Sequence, residues 1–270
     1  NQLGYGQEYQ IKYTLEPVDA TASLLTWTSD NPDMISVDKT GKLKVHTTKT
    51  ASAVITASYG PVVQNVTVTV ADGRFWYSLG NGLGNGQDNN WYLDGNGASV
   101  VSSDGKKTIV QMGSGYRGDL WLARSGKGKV VNVTPADYRY FAIKVGFKSQ
   151  LVPGKNKPNG CIKLEIFDDG IKKIGPEYFG TGGDANNRYE ILGASEISTT
   201  EPNVLYYDLQ SKYKTVTPTD WNQVFDLAQC KFVIADFPET AQTYDLYWIR
   251  SFKSVEELQA FVDSENNTNE

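Results

Sequence analysis

Glycoside hydrolysis by general acid–base chemistry uses two carboxylates at a set separation, and this chain carries acids in many places. Glu165, Asp168, Asp169, Glu177 and Glu190 are the candidates. Glu165 is the best placed, mid-run on the polar side of Ile162-Lys163-Leu164-Glu165-Ile166. Two carboxylates flanking a glycosidic bond would make a hydrolase. The sequence sets no distance between neighbouring strands, so no acid/base pair is assigned and the chain is read as a non-enzyme. Nucleophilic and metal chemistry have less to work with. His46 is the single histidine, which nearly excludes a Ser-His-Asp triad and a multi-histidine zinc site. In Leu43-Lys44-Val45-His46 it reads as a strand residue facing solvent. Cys161 and Cys230 are too few for a disulfide framework and have no metal-ligand spacing. Each reads as a buried thiol, with one bridge between them as the alternative. Gly80, Gly82, Gly84 and Gly86 alternate but lack the phosphate-loop spacings. Calcium needs about 6–8 oxygens. Asp88, Asp94 and Asp245 are candidates for a structural ion, so no cofactor is assigned and calcium stays open.

Aromatic rings carry the stronger signal. From Ala71 to Gly97 the chain sets Trp76, Tyr77, Trp91 and Tyr92 among glycines, asparagines and aspartates. Rings on such a scaffold suit flat ligands with polar edges, sugars above all. Strand parity adds to the set. In Asp119-Leu120-Trp121-Leu122-Ala123 the leucines share one side and Trp121 faces the other. In Tyr138 to Phe147, the apolar face is Phe141, Ile143, Val145 and Phe147, with Tyr140 and Lys144 opposite. Tyr116 and Arg117 lie in a Gly-rich loop, where a guanidinium can donate to hydroxyls. The expected ligand contacts are Trp91, Tyr92, Tyr116, Arg117, Trp121 and Tyr140, with Trp91 and Trp121 foremost. Trp76, Trp221 and Trp248 sit in dense apolar runs and are expected in the core.

The elements that must position these residues are strands. Tyr9 to Leu15, Leu25 to Thr28, Met34 to Val37, Leu43 to Val45, Ala53 to Ala57 and Val62 to Val70 alternate or are β-branched, with turn clusters between them. Asp38-Lys39-Thr40-Gly41 is a hairpin turn. Beyond Arg74 the runs lengthen: Ser99–Val101, Thr108–Met112, Tyr138–Phe147, Ile162–Ile166, Val204–Leu209, Lys231–Phe237 and Tyr244–Phe252. This many strands with short links predict a two-sheet sandwich of jelly-roll type. Ser254 and Glu257 form a capping box that opens a helix to Val262, and a further helical turn is expected over Thr219 to Leu227. The fold class is all-β: an N-terminal Ig-like sandwich over residues 1–71, a larger jelly-roll sandwich over 72–263 with one short C-terminal helix, and a disordered tail over 264–270.

Two stretches support a resemblance. Leu25 to Val45, L-T-W-T-S-D-N-P-D-M-I-S-V-D-K-T-G-K-L-K-V, with A-V-I-T-A-S-Y-G and V-T-V-T-V after it, resembles a bacterial Ig-like domain of group 2. Thr50-Ala51-Ser52 stands where that family usually has a glycine. Such domains act as spacers, which would make Trp27 a core residue. Y-F-A-I-K-V-G-F, K-F-V-I-A-D-F and Y-D-L-Y-W-I-R-S-F-K-S-V-E-E-L resemble the jelly-roll, carbohydrate-binding-module-like domains of Bacteroidetes surface glycan-binding lipoproteins. The resemblance implies non-catalytic binding of a polysaccharide, with a plant glycan such as xylan the first choice. It also implies the outer face of the outer membrane, a lipid anchor lying outside this sequence, and a glycan transporter as partner. Two other classes stay open: a β-sandwich glycoside hydrolase or lyase, and a purely structural or adhesin module.

Composition agrees with a soluble sandwich. The chain has 270 residues, 39% of them apolar, and a net charge of −5 with both signs interspersed. Nucleic acid is not an expected partner, since that would need a basic patch. No stretch is apolar for the roughly 20 residues of a membrane helix. The absence of a leader reads as a mature or trimmed chain.

Overall fold

The structure, a computed structural model, describes residues 2–17, 20–94, 97–113, 118–124, 131–148, 161–168, 189–210, 221–235 and 243–267. The chain opens with β1 (Gln2–Tyr5), β2 (Glu8–Gln10), β3 (Thr26–Ser29), β4 (Ile35–Val37), β5 (Lys42–Val45) and β6 (Ala51–Tyr59). β7 (Val62–Ser78) is the longest strand among the described residues. After it come β8 (Tyr92–Leu93), β9 (Ser99–Ser103), β10 (Thr108–Gln111), β11 (Leu120–Ala123), β12 (Val131–Val133) and β13 (Tyr140–Phe147). β14 (Cys161–Asp168), β15 (Glu190–Ile191), β16 (Asn203–Asp208), β17 (Phe225–Ala235) and β18 (Thr243–Phe252) complete the strands, and α1 (Val255–Asn267) follows them. The protein is an all-β sandwich, with one α-helix among the described residues.

The larger sandwich has two layers. One is ordered β15-β16-β13-β18, and β18 then pairs with β10 through its first half and with β7 through its second. The other layer is built on β17, flanked on one side by β14 and on the other by β12 and β11, with β8 beyond β11. Period-two alternation decides which residues meet between the layers. Phe141 of β13 and Tyr207 of β16 lie 5.7 and 5.6 Å from Phe232 of β17, centroid to centroid. Leu120, Leu122, Ile162, Leu164, Ile166 and Ile234 fill the same layer, all essentially buried.

The first 70 residues form a smaller unit, in which β2-β5-β4 lies beside β3-β6-β7. The hairpin turn is as expected: Asp38 Oδ1 accepts the Thr40 and Lys42 N–H groups at 2.7 and 3.0 Å. The expected strand over Tyr9 to Leu15 is shorter, since only Glu8–Gln10 pairs with β5. Trp27 is half-buried against the core.

The sequence predicts a turn at Ala71-Asp72-Gly73, and here the structure differs. β7 runs through this point without ending, and its two halves serve the two units. Its first half pairs with β6 from Val62 to Val70, and its second pairs with β18 at Trp76 to Ser78. Gly73 has φ +69°, and a Cβ there would meet Thr134 Oγ1 at 2.3 Å. The glycine therefore kinks the strand rather than closing it. The kink is pinned from both sides. Thr134 Oγ1 donates to Asp72 O at 3.0 Å, and Ser251 Oγ donates to Gly73 O at 2.8 Å. β1 lies parallel to β7 across the same point, with Leu3 opposite Val70 and Tyr5 opposite Phe75.

Three further expectations change. Phe225–Leu227, expected as a helical turn, begins strand β17, because Val131–Val133 pairs with it. The capping box forms, with Ser254 Oγ accepting the Glu257 N–H and Glu257 Oε2 accepting the Lys253 N–H. The helix does not stop at Val262, and the tail read as disordered continues it to Asn267. Glu265 explains the extension: its Oε2 is 3.1 Å from both Trp248 Nε1 and Lys144 Nζ. Cys230 is buried and outside any disulfide. Register puts Cys161 opposite Ala235 and Cys230 opposite Ile166, at different points along β14 and β17, so no bridge joins them.

Candidate functional site

Pairing across the smaller layer builds one continuous row of side chains. Tyr92 of β8 is opposite Trp121 of β11, Trp121 is opposite Lys231 of β17, and Lys231 is opposite Glu165 of β14. The next pair along, Leu93 and Leu120, points into the core. Alternation therefore puts Tyr92, Trp121, Lys231 and Glu165 together on the outer face of the layer. Tyr92 and Trp121 are half-buried, whereas Lys231 and Glu165 are buried.

The charges in this row are matched. Lys231 Nζ lies 2.9 Å from Glu165 Oε2 and 3.7 Å from Asp119 Oδ2. It also stands 4.5 Å from the centre of the Trp121 ring. Arg124 is 5.1 Å from the same ring and ion-pairs with Asp94. Burial pushes the Tyr92 phenol above its ordinary range, an effect the nearby Arg124 charge opposes. Gly86, at φ +86°, lies close against Tyr92, where a Cβ would come 3.2 Å from the ring. The Gly/Asn loop thus packs on the aromatic end of the row. The accessible part of the row is the two half-buried rings with Arg124 and Asp94 beside them, while Lys231, Glu165 and Asp119 are buried and support the Trp121 ring from behind.

The sequence-predicted contacts do not all meet here. Tyr92 and Trp121 do. Trp91 does not, since it is fully buried between Tyr77, Phe141 and Phe232, with ring centroids 6.1, 6.3 and 5.5 Å away. A ring with no exposed face cannot receive a ligand, so Trp91 is a core residue. Tyr140 lies on the opposite outer face of the sandwich, beside Tyr206 at 6.0 Å, in the cluster that α1 covers through Leu258, Phe261 and Val262. It cannot share a site with Trp121. Tyr116 and Arg117 lie outside the described residues. Lys231 and Asp119 were not anticipated. The Lys231 signal was available: Phe232 and Ile234 face the core, so the alternation puts Lys231 on the outer face. Trp248 is buried as expected, while Trp76 and Trp221 are half-buried.

The calcium candidates do not converge. Asp245 is buried and held by Lys107 and Lys148 at 2.6 and 3.0 Å. Asp94 pairs with Arg124, and Asp88 Oδ1 accepts the Asn90 N–H. Among the described residues no group of three or more His, Cys, Asp or Glu could hold a metal. His46 is not turned to solvent. It is half-buried, with Nε2 2.7 Å from Ser36 Oγ. Burial first, and the Lys44 charge second, hold its pKa below the ordinary 6.5. The unfolded chain therefore binds a proton more readily than the fold, and stability falls as pH drops below 6.5 toward the folded value. With one histidine in the chain, the NMR titration has one imidazole to follow. Its midpoint is expected below 6.5 in the fold and at about 6.5 in urea; a folded midpoint at or above 6.5 would contradict the packing described.

Comparison with known proteins follows the larger sandwich. Residues 79–258 match a family described as a domain of unknown function, DUF4979. The chain belongs to the DUF4979 family. The DUF4979 match starts just after β7 and ends inside α1, so it takes in the whole Tyr92–Glu165 row and leaves β1 to β7 outside. No curated protein matches the chain. One similar solved structure is described as concerning the promiscuous specificity of carbohydrate-binding modules from the beta-sandwich superfamily. It is 12% identical with a TM-score of 0.28, over 78% of this chain and 79% of that one. Another holds the CBM51-2 and INT domains of Clostridium perfringens ZmpB, 10% identical with a TM-score of 0.22, over 85% of this chain and 40% of that one.

Proposed function

We propose that this protein binds polysaccharide without chemical turnover, at the bacterial cell surface, as part of a glycan-uptake system. A plant glycan such as xylan is the first ligand to test, a lipid anchor the means of attachment and an outer-membrane transporter the partner. The observation that carries the binding reading is the cross-strand row Tyr92–Trp121–Lys231–Glu165 on an outer sheet face. Aromatic rings pack on the C–H faces of sugars, and charged groups beside them hydrogen-bond to hydroxyls. The resemblance of the strand texture to surface glycan-binding lipoproteins supports the location.

A hydrolase is the second reading, favoured by one observation: Asp119 and Glu165 both approach Lys231. Against it, an ammonium between the two acids ties both up in ion pairs. A reducing-sugar assay on xylan, β-glucan and mannan separates the readings, and turnover abolished by Glu165→Gln would establish the hydrolase. For binding, Trp121→Ala is expected to weaken retention in xylan affinity gels by about 1–3 kcal/mol, on the scale of a ring stacked on a flat ligand. The melting temperature should stay nearly unchanged, because Trp121 lies outside the core. Normal retention by a folded Trp121→Ala protein would remove this face from consideration.

A further inference from the structure

A cleft between the smaller unit and the sandwich plays no part in the reading above. It encloses about 560 Å³, inside the range of roughly 300–1,000 Å³ typical of small-molecule sites. One wall belongs to the smaller unit, with Lys44 on β5 and His46 just beyond it. The other belongs to the sandwich, with Trp76 on β7, Arg250 on β18, and Asn81 and Asn89 from the Gly/Asn loop. Neither wall makes a cleft alone. Their spacing is set by β1, which pairs with β7, and by Val45 N, which donates to Gln7 O at 3.1 Å just past β1.

Arg250 is the decisive group. It is 8% exposed, and its guanidinium lies 4.4 Å from the ring centres of both Trp76 and Phe261. Nη2 donates to Ser78 Oγ at 3.2 Å, and Nη1 is 3.8 Å from Glu265 Oε1. Nε has no hydrogen-bond partner among the described residues. A guanidinium has five N–H donors, so this one is under-satisfied. Burial pushes its pKa down to about 10, against the usual 12.5. A buried charge with unused donors is costly unless an acceptor completes it. The remaining lining describes that acceptor. Asn81 and Asn89 each donate and accept, and Lys42 and Lys44 add two further cations. Asp88 and Glu8 add carboxylates, which accept from hydroxyls, Glu8 while paired with Lys42 at 2.5 Å.

We propose that this cleft is a second carbohydrate site, formed only where the two units meet, that takes a short hydroxyl-rich oligosaccharide. The choice of ligand class rests on the glycan-binding reading, whereas the location does not rest on the sheet-face row. The Gly/Asn loop borders both places, with Gly86 against Tyr92 on one side and Asn81 and Asn89 in the cleft on the other.

The test is titration calorimetry of the full chain with xylohexaose, cellohexaose, mannohexaose and hexagalacturonate, the last separating an acidic sugar from neutral ones. The cleft variant combines Lys44→Ala, Asn81→Ala and Asn89→Ala, all exposed or half-buried positions, and circular dichroism checks that its melting is unchanged. Trp121→Ala is the companion. The expected result is two sites in the wild type, one weakened at least tenfold in the cleft variant and the other in Trp121→Ala. Binding that is lost in Trp121→Ala and intact in the cleft variant overturns the cleft and leaves the sheet face. Binding that is lost in the cleft variant and intact in Trp121→Ala supports the cleft and overturns the face. Binding unchanged in both variants, or no heat with any of the four sugars, overturns both.

Discussion

Trp91→Ala is expected to destabilise the protein by about 3–5 kcal/mol, the range for removing a large buried ring. Trp91 has no exposed surface and touches both layers, with Tyr77 and Phe141 on one side and Phe232 on the other. Its neighbours cannot close over the space, because Phe141 and Phe232 are themselves packed 5.7 Å apart. A loss of this size is a large share of the 5–15 kcal/mol that a domain commonly has. Trp91→Phe should cost far less. Nε1 of Trp91 has no partner among the described residues, so the phenyl ring gives up volume but no hydrogen bond. Urea unfolding of the three proteins measures both effects. Equal stability of Trp91→Ala and the wild type would mean that the ring is not where the structure puts it.

Trp91 also shows what the sequence conceals. Its neighbours Asn89, Asn90, Asp94 and the glycines before them read as a loop, and most of them are exposed or half-buried. Composition describes the loop's surface and is silent on one indole turned inward from it. Parity is a better guide where strands are regular. It separated Phe141, Ile143 and Val145 from Tyr140 and Lys144, and Leu120 and Leu122 from Trp121, as the structure does. Parity cannot say which of two outer faces a side chain lands on. Tyr140 and Trp121 both oppose their own strand's apolar face, yet one lies beneath α1 and the other on the far layer. That assignment depends on strand order, which is set by non-local pairing. The same limit hid Lys231 as the partner of both Glu165 and Asp119, since the three come from different strands or their ends.

The ends of elements were hidden for a different reason. Ser264 to Asn267 is polar, and nothing local extends the helix into it. Tertiary contacts do, through Glu265 to Trp248, Lys144 and Arg250. Gly73 gave a misleading signal because a left-handed glycine serves a kink as well as a turn. The domain boundary that the turn suggested is in the structure a stretch of unbroken strand, and the two units share it.

Tyr5→Ala tests that sharing, and it is expected to destabilise the whole protein by about 3–5 kcal/mol, as for other large buried rings. Tyr5 comes from the first strand of the smaller unit, yet its ring is fully buried against Phe75 at 5.3 Å, and Phe75 in turn lies 4.7 Å from Phe141 in the sandwich. Its hydroxyl donates to Asp72 Oδ1 at 3.3 Å, and burial together with the Asp72 charge pushes the phenol above its ordinary range. Tyr5→Phe removes only that hydrogen bond and should cost about 0.5–1.5 kcal/mol. A chain beginning at Asp72 would lose β1 and leave the Phe75 edge in water, so it should be less stable than the same residues within the full protein. Urea unfolding, followed by tryptophan fluorescence and by circular dichroism, distinguishes the cases. A single transition shifted by Tyr5→Ala means that one core spans both units, whereas two separate transitions, with only the weaker one moved, would mean that the smaller unit is an independent spacer.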